Sequence, residues 1–274
     1  KSEAMQRDQW RHLTWWKNQI GDRLLAEVTP SLLAEYRDRL SKGEGRTRRP
    51  ATVVRYMAAL SHAFTIAVKE WEWLDDSPLR KVSKPQEPRG RVRFLSDEER
   101  EILLASCKQS KAPYLYPLVV LALSTGARRG ELLGLTWGDI DFKRKVAILH
   151  QTKNEERRAL PLTGHALDCV NKLAEIRRID TNLLFPDEKG GKPVEIRPAW
   201  EKVLKASGIE DFRFHDLRHS TASYLAMNGA SLAEIAEILG HKTLQMVKRY
   251  SHLSEQHTAS VVEKMNKKIF GGGE

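Results

Sequence analysis

The sequence predicts a mainly α chain of two domains, the second an α+β domain with a small antiparallel sheet. Three observations carry this. Apolar residues recur at helical spacing over most of the 274 residues. One pair of short β-like runs, 145–150 and 157–162, brackets the polar turn Lys153-Asn154-Glu155-Glu156 and reads as a hairpin. A Pro- and Gly-punctuated stretch, RKVSKPQEPRGRVR, divides the chain into domains over 1–84 and 95–274, with 85–94 as an extended basic linker.

In the first domain Trp10, Leu13, Trp16 and Ile20 fall on one helical face. Thr29-Pro30 supplies an N-cap and an N1 proline for a helix ending near Leu40. Val53, Met57, Leu60, Phe64, Ala67 and Trp71 form the buried stripe of a third helix. Between the last two helices, SKGEGRTRRP places Arg46, Arg48 and Arg49 in a loop suited either to solvent or to phosphate contact. The linker region adds Arg80, Lys81, Lys84, Arg89, Arg91 and Arg93 against the single acid Glu87, and such a strap would cling to a phosphate backbone.

The second domain opens at Ser96, whose side chain and that of Glu99 form a capping box. A buried helix over 113–124 ends at Gly126, and a short helix follows over about 128–135. After the hairpin, helices are expected near 165–178, 197–206, 216–227 and 232–239, the last capped by Ser231 and stopped by Gly240. A helix over 244–250 and a last amphipathic helix over about 254–269 complete the chain.

Composition narrows the function class. Forty-six Lys and Arg against 36 Asp and Glu leave a net charge of +10, which attracts polyanions, nucleic acid foremost. Two isolated cysteines, Cys107 and Cys169, give neither a disulfide framework nor a metal cluster, so a reducing cytoplasm is expected. The charged residues 1–9 do not read as a signal peptide, and no apolar run approaches the ~18 residues of a membrane span.

The chemistry concentrates in HDLRH, residues 215–219. Two histidines four apart beside an acid approach a zinc-hydrolase pattern, but Arg218 shares their helical face, and a fixed guanidinium opposes a dication. Arginine with histidine suits an anion instead: the guanidinium offers a fork to phosphate oxygens and imidazole adds a donor or proton carrier. A surface helix with ordinary polar residues remains open from these five residues alone. Arg128, just after a helix-ending glycine in an apolar region, is costly unless paired or facing a ligand. Tyr250 follows a run of cations, an environment that would activate a phenol against a phosphodiester, although tyrosines at helix ends are more often packing residues and the phenol by itself carries no weight.

Taken together, TGARRGELLGLTWGDID, QTKNEERRALPL, HDLRHSTASYLAMNGA and LGHKTLQMVKRYSHLS resemble the four conserved boxes of the tyrosine recombinase (phage integrase) family, in the family's order and with His241 nine residues before Tyr250. The wording is closer to integrases of phages and integrative elements than to chromosome-dimer resolvases. The resemblance covers the chain, because residues 1–84 are similar to the family's SAM-like helical core-binding domain. It implies that Arg128 and Arg218 clamp the scissile phosphate and that Lys153 protonates the leaving 5′ oxygen. It further implies that His215 and His241 contact the phosphate, that His215 helps move the phenol proton, and that Tyr250 is the nucleophile. Glu131 matches an acidic neighbour that orients Arg128, while His219 reads as structural.

The implied activity is site-specific DNA recombination through a 3′-phosphotyrosine and a Holliday junction, with neither metal, cofactor nor ATP. The implied partners are double-stranded attachment sites, three further copies in a tetramer joined by exchange of the C-terminal helix (about 255–270), and accessory bending or directionality factors. The two domains would close around the duplex, in a bacterial cytoplasm and on its nucleoid. Type IB topoisomerase-like relaxation, a non-catalytic architectural DNA-binding protein and a metal-dependent hydrolase are the alternatives.

Overall fold

The computed structural model describes residues 3–43, 47–88, 91–150 and 157–270. It falls into two compact units, Lys1–Gly90 and Arg91–Glu274, the boundary lying within the basic strap.

The first unit is helical: α1 (Glu3–Ile20), α2 (Pro30–Lys42) and α3 (Pro50–Lys69), closed by a 3-10 turn at Pro78–Lys81. Prolines at the first positions of α2 and α3 sit where no intrahelical N–H is needed, and Thr29 Oγ1 accepts from Leu32 N at 3.3 Å. The core comprises Trp16, Leu33, Leu40, Val53, Met57, Leu60 and Phe64, and the Trp16 indole N–H is satisfied by Tyr56 O at 2.8 Å.

Two expected core aromatics lie outside it. Trp10 is 75% exposed, because α1 turns a face centred on His12 and Trp16 inward. Trp71 is exposed because α3 stops at Lys69, and its ring packs against Trp73 instead. By length and composition α3 could cross a membrane, which the sequence reading did not anticipate; here its apolar side is the core wall of the unit.

The second unit begins with α4 (Asp97–Gln109), and the Ser96–Glu99 capping box is present in both directions at 3.1 and 3.0 Å. The apolar α5 (Leu115–Thr125) is buried almost throughout and ends at Gly126, φ +61°. A Cβ at that position would lie 2.4 Å from Leu239 Cδ2, so glycine is needed for both its backbone conformation and its contact. The short α6 (Arg129–Leu133) leads into an antiparallel sheet, β1 (Ile140–Asp141), β2 (Val146–Leu149) and β3 (Arg158–Pro161), in the order β1-β2-β3. Ala147 opposes Leu160 and Leu149 opposes Arg158. The first strand escaped the sequence reading because two residues carry no readable alternation. The hairpin turn, with Lys153, lies outside the described residues.

Next come α7 (Gly164–Glu175), α8 (Arg197–Ser207), α9 (Asp216–Met227) and α10 (Leu232–Leu239). Residues 244–250, expected as a helix, form 3-10 turns at Leu244–Met246 and Lys248–Ser254. Finally α11 (Glu255–Phe270) leaves Val261, Val262, Met265, Ile269 and Phe270 exposed. The core joins α4, α5, α7, α8 and the inward sheet face, while α9, α10 and the Tyr250 turn share a smaller cluster.

Candidate active site

The site is assembled where α9 packs on α5 and on the turn that carries Tyr250. Arg218, on the first turn of α9, is 4% exposed. Its Nη1 donates to Gly126 O at 2.6 Å, and its buried Nη2 has no partner among the described residues. Burial, then Arg128, then Arg158 push its pKa down to about 10. A buried charged donor left unpaired is costly, so the arrangement favours an incoming anion.

Arg128 precedes α6 and is oriented by Glu131. The carboxylate accepts from Arg128 N at 2.8 Å and from Arg128 Nη1 at 2.6 Å. Arg128 Nη2 reaches Gly240 O at 3.4 Å. The same carboxylate accepts from Arg158 Nη2 at 2.9 Å, and Arg158 Nη1 reaches Ile238 O at 3.1 Å. Arg158, which the sequence reading passed over, therefore ties strand β3 to the end of α10. Gly240, at φ +65°, is what lets it through, since a Cβ there would meet Arg158 Nη1 at 2.5 Å. Arg128, Arg158 and Arg218 outnumber the Glu131 carboxylate, so the cluster keeps two more positive charges than negative.

His241 follows Gly240, and its buried Nδ1 has no partner among the described residues. Burial, followed by Arg218, Arg128 and Arg158, lowers its pKa to about 4, so it is neutral at pH 7. His215 lies just before α9; although exposed, its crowded setting and then Arg218 lower its pKa. Tyr250 is 2% exposed. Burial raises the pKa of its phenol, with Arg249 and Arg218 pulling it back. Its Oη lies 2.5 Å from His219 Nδ1. His219, expected to be structural, is thus bonded to the tyrosine, and its pKa is lowered to about 4 by burial and then by His215. Neither this contact nor the role of Arg158 had a sequence signal, because both depend on pairing across 31 and 27 residues.

Asp216 turns away from this cluster: its carboxylate accepts from Arg213 N at 2.8 Å and pairs with Arg91. Among the described residues no three His, Cys, Asp or Glu side chains converge.

The basic residues expected to contact DNA divide. Arg49, Lys81 and Lys84 are exposed. Arg80 pairs with Asp76 at 3.2 Å, and Arg48 donates to Leu40 O at 3.1 Å. Arg91 pairs with Asp211 and Asp216, and Arg93 with Glu99, which corrects the picture of a freely cationic strap: both of these cations are neutralised within the fold. Arg46 and Arg89 lie outside the described residues.

Comparison with known proteins adds the following. Residues 93–257 match the profile of the phage integrase family. The chain is 32% identical to the integrase of Salmonella phage P22 over 81% of its length and 58% of that protein's. It is 37% identical to the shufflon-specific DNA recombinase of Escherichia coli over 85% of its length and 60% of the relative's. The chain thus spans about six-tenths of the length of these curated relatives. Its fold matches that of the Tn1549 transposon integrase, solved in complex with a circular intermediate DNA, with a TM-score of 0.77 over 94% of each chain at 19% identity.

Proposed function

The chain belongs to the phage integrase family, and on that premise we propose that it is a site-specific DNA recombinase that cuts and rejoins DNA through Tyr250. The observation that carries this reading is the unpaired buried Nη2 of Arg218 within a cluster of arginines, next to a buried tyrosine. A phosphodiester carries one negative charge and gains a second as its phosphorus becomes pentacoordinate. The two surplus positive charges of the cluster suit that change, and being fixed in advance they cost no reorganisation.

In this reading Arg218 and Arg128 hold the non-bridging oxygens, and Glu131 keeps Arg128 aimed through its two hydrogen bonds. His241, neutral at pH 7, adds a donor to the same phosphate, with His215 beside it. The Tyr250 oxygen attacks phosphorus, the bond to the 5′ oxygen breaks, and Lys153 protonates the departing oxygen. The product is a 3′-phosphotyrosine and a free 5′-hydroxyl. The bond energy stays in the covalent link, so a 5′-hydroxyl from a second duplex reverses the step without ATP. Exchange of two duplexes uses four active sites and passes through a Holliday junction. The exposed apolar residues of α11 support a tetramer in which that helix docks on a neighbouring copy. Double-stranded attachment sites are the substrate, contacted by exposed cations such as Arg49, Lys81 and Lys84, in a bacterial cytoplasm and with accessory bending or directionality factors.

A nicked suicide duplex of the attachment site, incubated with the protein in EDTA, tests the reading. A covalent protein–DNA adduct that is lost in Tyr250→Phe is expected; its absence with a proven site would overturn the assignment. Recombination of paired sites, as opposed to relaxation of a single plasmid, separates a recombinase from a type IB topoisomerase.

A further inference from the structure

The family-based assignment leaves the phenol proton of Tyr250 to His215. The geometry points elsewhere: we propose that His219 Nδ1 is the proton acceptor for Tyr250, which makes His219 a catalytic residue. This rests on the reading of Tyr250 as nucleophile.

Tyr250 Oη lies within hydrogen-bond distance of His219 Nδ1, with the ring centroids 6.0 Å apart. The tyrosine is almost wholly buried, so bulk water has poor access to its hydroxyl. His215 stands edge-on to His219, their centroids 5.5 Å apart, so His219 touches both the box histidine and the phenol. Burial, then His215, Arg249 and Arg218, hold the imidazole neutral at pH 7 against the opposing pull of Asp216, whose carboxylate is itself tied to Arg213 N and Arg91. A neutral imidazole bonded through Nδ1 to a phenol O–H carries its own proton on Nε2 and keeps a lone pair on Nδ1.

The step balances. As Tyr250 Oη forms its bond to phosphorus, the O–H bond breaks and the proton passes to Nδ1, giving an imidazolium. The bond from phosphorus to the 5′ oxygen breaks, and that oxygen takes a proton from Lys153. In the return step the imidazolium gives its proton back to the departing tyrosyl oxygen. Burial disfavours free phenolate, so transfer concerted with attack is the route the site provides, and a positioned base of this kind contributes about 10²–10⁴-fold.

The test separates proton acceptance from mere positioning. His219→Gln keeps a polar side chain of similar reach but takes no proton. Cleavage of the suicide duplex should slow about 10²–10⁴-fold while DNA binding is unchanged. Replacing Tyr250 with 3,5-difluorotyrosine, whose phenol ionises far more readily, should shrink the deficit of the Gln variant to within about tenfold of the same substitution in the native background. A Gln variant that cleaves at the native rate overturns the proposal, and so does a deficit that fluorination leaves untouched.

Nitrogen-15 NMR of the native protein supplies a second measurement that needs no folded His219 variant. The His219 ring should be protonated on Nε2 only, with its Nδ1 resonance moving in Tyr250→Phe; protonation on Nδ1 overturns the proposal. If the native chain forms no adduct at all, it is the assignment of Tyr250 that fails.

Discussion

Glu131 holds together the cationic side of the site, and removing its charge gives the sharpest structural prediction. The carboxylate is buried, accepts three hydrogen bonds, and pairs with both Arg128 and Arg158. Glu131→Ala strips all three and leaves three guanidinium groups in one another's field. Breaking a buried ion pair by deleting one partner costs about 3–5 kcal/mol. For a unit of this size that lowers Tm by ~6–20 °C, at ~2–4 °C per kcal/mol. Glu131→Gln keeps the shape and one acceptor oxygen, so its cost should be smaller, about 1.5–3 kcal/mol, the range for a lost hydrogen bond to a charged group. Urea denaturation followed by tryptophan fluorescence reads both, because Trp137 and Trp200 lie in the same core. Inorganic phosphate should restore part of the loss, since an anion can replace the missing charge among the arginines. A Glu131→Ala protein within about 0.5 kcal/mol of the native chain would refute the reasoning, for that is the range of substitutions away from any such feature.

Two further predictions concern the glycines and pH. Gly240→Ala should displace the Arg158 guanidinium and destabilise the protein by about 1–3 kcal/mol; Gly126→Ala, which meets Leu239, should do the same, both read by Tm. His219 and His241 have folded pKa values near 4, below the ordinary histidine value of ~6.5. Between these limits the unfolded chain binds the protons that the folded chain excludes, so stability should be unaffected above pH ~6.5 and fall as pH drops toward ~4. Below that window this contribution should level off, and His241→Gln should flatten the fall in a urea titration.

Much of this site was legible in the sequence because its residues sit at helix ends with strong local signals. Gly126 and Gly240 mark left-handed stops, with Arg128 and His241 just after them, while His215 and Arg218 sit at the start of α9. What could not be read was pairing across the chain. Arg158 reads as one of several cations in a hairpin, and only the approach of α10 makes it a brace for Glu131. Arg91 reads as free charge because Asp211 and Asp216 lie more than a hundred residues away, and Arg93 does so because its partner Glu99 already reads as the capping-box acid of Ser96. His219 reads as structural in the sequence, and its contact with Tyr250 appears only once α9 meets the turn that carries the tyrosine. Trp10 and Trp71 show the same limit in apolar form: helical spacing identifies a stripe, but where the helix stops and which neighbour covers it decide burial.

The central claim is that the phenol of Tyr250 attacks a phosphate held by Arg218. Proteolysis and mass spectrometry of the trapped protein–DNA adduct test it most directly. The account predicts a nucleotide joined through its 3′ phosphate to the peptide containing Tyr250, and no adduct in Arg218→Ala. A nucleotide on any of the other five tyrosines, or an undiminished yield without Arg218, would contradict it.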